Sequence, residues 1–155
     1  MPINRKFLFS TLVASSALIG AGTVAAQAAS SFVSVQSHQS YSATVSSLKE
    51  AVSSNGMMVM GQINQAKVLS MTGLKLEGAE SFFVGNPNMG KKIFGMNPAA
   101  GAVLPARVYV WSDKGKAYVG YFKPSAELSE ISPKLGMAGS MLDQKLQMVA
   151  SQATK

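Results

Sequence analysis

A chain of 155 residues, 47% apolar and 14% charged, is sized for one compact domain with a hydrophobic core. It has no cysteine, which excludes disulfides, thiolate metal sites, c-type haem attachment, cysteine nucleophiles and a lipidated N-terminal cysteine. Fourteen Lys and Arg against seven Asp and Glu give a net charge of +7, but no basic cluster exceeds two residues, so the charge reads as a solvated surface.

The first segment is a leader. Arg5 and Lys6 precede an apolar run from Phe7 to Ile19, and small residues lead to Ala26-Gln27-Ala28. This is the basic, apolar and A-x-A order of a secretory signal peptide, which predicts cleavage after Ala28 and export to the periplasm or medium. The apolar run is too short, and too rich in Ser and Gly, to predict a stable membrane span. Losing Arg5 and Lys6 takes the basic count from 14 to 12 against 7 acids, a mature net charge of +5. Outside the cytoplasm this charge serves solubility or weak attraction to anionic envelope surfaces, and nucleic acid is not an expected partner.

Ser31 to Ser37 alternates, with Val33 and Val35 opposed by Ser34 and Gln36, and predicts a half-buried strand. Ser42 is placed to cap a helix carrying Val45, Leu48 and Val52 on one face and stopping near Asn55-Gly56. Met57 to Ile63 is apolar on both faces and predicts an interior strand. A second helix is expected over Gln65 to Met71 with Gly73 as its stop, then a short buried strand over Ser81 to Val84. A third helix runs from Asn88 to Gly95, ended by Asn97-Pro98.

Ala102 to Trp111 alternates, with Leu104, Ala106, Val108 and Val110 on one side and Arg107, Tyr109 and Trp111 on the other. Asp113-Lys114-Gly115-Lys116 reads as a hairpin loop leading to a partner strand, Ala117 to Phe122, closed by Pro124. Ser125 is placed to cap a helix over Ala126 to Ile131. Ser132-Pro133 restarts the chain, and Leu142, Leu146, Val149 and Ala153 form one apolar stripe. The sum predicts an α+β two-layer sandwich, one mixed sheet of about five strands with helices packed on it.

The stretch Gly85-Asn86-Pro87-Asn88-Met89-Gly90-Lys91-Lys92 follows a strand and matches G-x-x-x-x-G-K. It is not a nucleotide cradle: Lys92 stands where a hydroxyl must hold Mg²⁺, and Pro87 removes one of the amides that would face the phosphates. What remains is a glycine-bordered bend, Gly85, Asn86, Pro87 and Gly90, with Lys91 and Lys92 beside a helix start, a candidate site for a small anion. Nine methionines lie beyond the leader. Met58 and Met60 are expected on one strand face, with Met89 and Met96 flanking the loop helix. Thioethers suit Cu(I), which makes these four a candidate metal set, while core filling is the ordinary use of Met.

His38 is the sole histidine, so any Ser-His-Asp catalyst would have to be built around it. No catalytic set and no cofactor motif is composed by the sequence, and none is expected. Arg107, Tyr109 and Trp111 share one strand face, to which the pairing strand adds either Tyr118 or Tyr121. Left uncovered by helices, that face is a candidate interface, since aromatics and Arg are enriched in interfaces.

Several of these residues also carry a family resemblance. Gly73-Leu74-Lys75-Leu76, Phe83-Val84-Gly85-Asn86-Pro87 with Gly90, Leu104-Pro105, Val110-Trp111 with Asp113, Gly115 and Lys116, and Tyr121 to Pro124 resemble the domain of unknown function 302 family. The resemblance covers about Tyr41 to Leu128. It divides the chain into a leader at 1–28, a lead-in at 29–40, the core at 41–128 and a C-terminal helical segment at 129–155. It implies a small α+β domain that dimerises, and no established activity. Similar members often carry Ile-Asp-His where this chain has Ile63-Asn64-Gln65, so a proton-transfer or metal role there does not carry over. Many also place a small hydroxyl residue where this chain has Lys91. The expectation is an exported, soluble, non-enzymatic binding or accessory domain working as a homodimer, with Met-based copper handling as the alternative.

Overall fold

The computed structural model describes residues 30–155, so the leader lies outside the described residues. In chain order the elements are β1 (Phe32–Gln36), α1 (Tyr41–Ser54), β2 (Met58–Asn64), α2 (Gln65–Ser70), β3 (Ala79–Gly85), α3 (Pro87–Met96), a 3-10 turn over Pro98–Ala102, β4 (Ala106–Asp113), β5 (Lys116–Phe122), α4 (Pro124–Ile131) and α5 (Gly136–Ala153). A further 3-10 turn, Pro133–Leu135, joins α4 to α5.

The five strands form one sheet in the order β1-β5-β4-β3-β2. Every neighbouring pair is antiparallel, where the sequence suggests a mixed sheet. The difference lies in β1 and β2. They are joined through a helix, the connection that makes parallel neighbours, yet they occupy opposite edges with three strands between them.

The α+β two-layer arrangement is as expected. α1 and α5 lie side by side on one face. Leu48, Ala51 and Val52 of α1, with Leu146, Val149, Ala150 and Ala153 of α5, are buried against Phe82, Val84, Val108, Val110 and Val119. The apolar stripe of α5 is therefore a core stripe, integral to the sheet-and-helix body. A smaller cluster of Ile93, Ala100, Leu128, Leu135 and Leu142 closes one end beneath α3 and α4.

Local chemistry explains the element ends. Ser40, two residues before the expected cap, accepts from Ala43 N–H and starts α1. The β4–β5 hairpin turns on Lys114 and Gly115 alone, both with positive φ (53° and 73°), the two-residue geometry that matches sheet twist. β4 begins at Ala106, later than the alternation predicts, because Pro98–Ala102 winds into a 3-10 turn and Pro105 has no N–H for a ladder. Ser125 does not cap α4. The helix starts at Pro124 after Lys123, and Ser125 donates both its N–H (3.0 Å) and its hydroxyl to the Asp143 carboxylate on α5. A side chain from a neighbouring helix thus satisfies the first turn of α4.

β2 is an edge strand, not an interior one. Its pairing with β3 slips between Val59 and Gly61, which leaves Met60 as the extra residue of a bulge. Its apolar pattern on both faces has two sources: Val59 packs on the core, while Met58, Met60 and Ile63 stay about half exposed.

Candidate binding surfaces

Two regions hold the residues singled out by the sequence, the bend after β3 and the face of the sheet opposite α1 and α5. At the bend, Asn86 is the N-cap of α3. Its Oδ1 accepts from Met89 N–H at 3.0 Å, and its Nδ2 donates to the Gly56 carbonyl at 2.7 Å, tying the bend to the α1–β2 turn. Pro87 occupies the first helical position, where its missing N–H costs nothing.

Gly85, Asn86, Pro87 and Gly90 do come together, but as the wall of a cleft of about 130 Å³ whose other walls are apolar, among them Met60, Met89, Ile93, Phe94 and Leu142. Lys91 and Lys92 are exposed and do not line it. They sit past the first turn of α3 and not at its start. With Pro87 lacking an N–H and that of Met89 taken by Asn86, the bend is shaped for apolar contact more than for an anion.

The glycines here differ in use. A Cβ on Gly85 would meet Met60 Cε at 3.2 Å, so this glycine admits the bulged methionine. Gly90 has an ordinary helical backbone and open space around it, so it is not the special turn position that the motif suggests. Of the four methionines, Met60 and Met89 line the cleft, whereas Met58 and Met96 lie outside its lining.

The second region is the face opposite α1 and α5. Register sets its rows: Phe83 faces Arg107; Ser81, Tyr109 and Gly120 align; Ala79, Trp111 and Tyr118 align; and Phe32 pairs with Phe122. Arg107, Tyr109 and Trp111 thus share the uncovered face as predicted. Of the two tyrosines offered by β5, Tyr118 joins them while Tyr121 is buried on the helix side.

The rings form a continuous band. Trp111 stacks on Tyr109 (centroids 5.4 Å apart, planes 13°) and on Tyr118 (5.2 Å, 16°), and Phe32 lies 6.4 Å from Trp111 and 5.2 Å from Phe122. Gly120 makes this possible. A Cβ there would lie 2.8 Å from the Trp111 ring and 3.0 Å from that of Phe32, so the bare backbone is the floor on which both rings rest.

Beside this floor is a cleft of about 150 Å³ reached by Phe32, Gln65, Ser81, Arg107, Tyr109 and Phe122. Gln65 and Ser81 are site residues that sequence reasoning missed. Asn64 caps α2 through Lys67 N–H at 2.7 Å. That turns Gln65 onto the open face, where its Nε2 donates to Ser81 Oγ at 2.5 Å. The Ile63-Asn64-Gln65 departure was the available signal: it marks a helix start aimed at β3.

Three other groups complete the chemistry. Glu80 is buried on the helix side, accepting from Tyr41 Oη at 3.0 Å and from Gln62 Nε2. Burial first, then the Glu80 carboxylate, push the Tyr41 hydroxyl far above its ordinary range. Glu127 lines a neighbouring cleft together with Arg107. Partial burial of its carboxyl raises its pKa, against the pull of Arg107. His38 is exposed in the β1–α1 loop, its N–H donating to the Thr154 carbonyl at 3.0 Å. Among the described residues no three His, Cys, Asp or Glu side chains are grouped to hold a metal, and no helix is long and apolar enough to cross a membrane.

Comparisons with known proteins agree with this architecture. A family model described as "Domain of unknown function DUF302" matches residues 33–153, past both ends of the core expected at 41–128. The crystal structure of an uncharacterized conserved DUF302 protein from Bacillus stearothermophilus superposes with a TM-score of 0.76 at 20% sequence identity, covering 81% of this chain and 99% of the other. At that identity the likeness speaks to the fold. No curated protein matches the sequence.

Proposed function

This chain belongs to the DUF302 family, and we propose that it serves there as an exported, non-enzymatic binding domain whose working form is a homodimer joined through the open aromatic face. The observation that carries this reading is the uncovered band itself. Trp111, Tyr109, Tyr118, Phe32 and Phe122 form a band on the side of the sheet opposite α1 and α5, and Phe32 and Phe122 stay 42% and 45% exposed. A contiguous apolar patch of this kind marks an interaction surface, and rigid rings lose little entropy when a partner covers them. A second copy offers the same band, as a two-fold interface requires.

Export rests on the basic, apolar and A-x-A order of residues 1–28. The non-enzymatic part of the reading draws its support from the site chemistry: among the described residues neither region joins a nucleophile, a base and an orienting group. Native mass spectrometry of the protein from an envelope fraction tests the reading. The expected species is a dimer of chains beginning at Ala29, and Trp111→Ala is expected to yield monomer. A full-length cytoplasmic chain refutes export, and a wild-type monomer at micromolar concentration refutes the dimer.

A further inference from the structure

The cleft beside Gly120 differs from the rest of the open face because it contains polar groups without partners. Gln65 gives its Nε2 to Ser81 Oγ, and its Oε1 is buried with no hydrogen-bond partner. Turning the amide over does not cure this, since one polar atom stays unpaired in either orientation. An unmet buried amide oxygen costs free energy comparable to a lost hydrogen bond, so it persists where something else supplies the missing donor. The hydroxyl hydrogen of Ser81 is also available, since Ser81 Oγ accepts from Gln65.

The charge in the cleft is equally unpartnered. Arg107 has no carboxylate within 4.0 Å among the described residues, and across the ladder it faces Phe83. Lys116, a cation on the same face, stands opposite Asp113 in the hairpin register without forming an ion pair within 4.0 Å. Glu127 lines the neighbouring cleft with Arg107 but lies more than 4.0 Å from it, so it forms no ion pair with the guanidinium.

Between Arg107 and the Gln65–Ser81 pair lie ring faces. Phe32, Tyr109 and Phe122 wall a space of about 150 Å³, room for one six-membered ring with its substituents. Ser81 stands opposite Tyr109, so Arg107 is its diagonal neighbour, about 7–8 Å away across the ladder.

We propose that this cleft binds a small hydroxylated aromatic carboxylate. The Arg107 guanidinium takes the carboxylate in a charge-assisted pair, the rings flank the aromatic plane, and the ligand hydroxyl meets Gln65 and Ser81, donating to the unpaired Oε1. This deepens the reading of the open face as a recognition surface and rests on it, but it concerns the Arg107 end, apart from the Trp111–Tyr118 stack.

The test is titration of the mature chain with 4-hydroxybenzoate, benzoate and phenol, followed by amide and indole NMR shifts. Expected for 4-hydroxybenzoate is saturable binding with a Kd of about 1 mM or tighter, within reach of a ligand of this size. The shifts should centre on Gln65, Ser81, Arg107, Tyr109 and Gly120, with the Trp111 indole as the reference beyond the cleft. Arg107→Gln is expected to weaken 4-hydroxybenzoate and benzoate about tenfold and leave phenol unchanged. Gln65→Leu is expected to reduce 4-hydroxybenzoate to the affinity of benzoate. Absence of saturable shifts in the cleft, binding centred elsewhere, or unchanged affinity in Arg107→Gln overturns the proposal. Sedimentation of the same samples separates the two readings. Ligand binding by a chain that never dimerises sinks only the homodimer, and a dimer that ignores all three probes sinks only the cleft.

Discussion

The two faces of the sheet are drawn from the same strands and do opposite work. Along β4, Ala106, Val108 and Val110 disappear beneath α1 and α5, while Arg107, Tyr109 and Trp111 stand on the uncovered side. The covered face is mostly aliphatic, with Phe82 and Tyr121 its buried rings and Glu80 its one buried acid, held by Tyr41 and Gln62. The open face is aromatic and cationic, and its rings contact one another instead of a helix layer. The buried core is concentrated on the first face, and the second is the one proposed for recognition. Small branched side chains fill space between layers, whereas large rigid rings are useful where a partner arrives later.

Truncating one phenylalanine on each face tests that division most sharply. Phe82 is fully buried on the helix side, and Phe122 is 45% exposed on the other. Phe82→Ala is expected to cost about 3–5 kcal/mol in urea denaturation, and Phe122→Ala under about 1.5 kcal/mol. Equal losses measured in monomer would break the comparison, because the open face would then be part of the core. Equal losses only at dimer-forming concentrations would sharpen it, since the second copy would be supplying the burial.

Two helical glycines give the next effect. A Cβ on Gly139 of α5 would fall 2.4 Å from Ser125 Cα on α4, whereas Gly90 of α3 has open space. Gly139→Ala should therefore destabilise by about 1–3 kcal/mol through forced separation of the two helices. Gly90→Ala should gain up to about 1 kcal/mol from helix propensity. Thermal melts of the two variants check both signs. A stabilised Gly139→Ala would mean that α4 is free to move away from α5.

Much of this was legible in the sequence because local rules govern it. Alternation placed β1 and β4, the hairpin loop placed β5, Asn97-Pro98 ended α3, and the spacing of Leu142, Leu146, Val149 and Ala153 marked the buried side of α5. The misreadings involve contacts between distant residues. β2 reads as an interior strand because a bulge at Met60 mimics a doubly apolar run. Ser125 reads as a cap because nothing local reveals that Asp143, 18 residues on, reaches back to it. Part of the open face was visible in Arg107, Tyr109 and Trp111. Gln65, Ser81 and Phe32 join it only through strand order, which one sequence does not display. The glycine-bordered bend drew notice through its motif, yet Asn86 and Pro87 have ordinary capping roles there.

The smallest effect lies at the edge where both faces meet solvent. The Glu77 carboxylate accepts from Gly115 N–H and Ser112 Oγ, both at 2.9 Å, bracing the β4–β5 hairpin. The Gly115 bond first, then the Ser112 bond, hold its pKa below the ordinary value. A carboxyl whose folded pKa is depressed stabilises the fold above its unfolded pKa, and loses that contribution as pH falls through the folded one. Wild type should therefore lose melting temperature faster than Glu77→Gln between about pH 5 and pH 3. The other carboxyl groups titrate alike in both proteins, so the difference between the two curves isolates Glu77. Parallel curves through that window would mean that the hairpin holds without this charge. The rigidity of the Trp111–Tyr118 stack would then come from the rings and the Lys114-Gly115 turn alone.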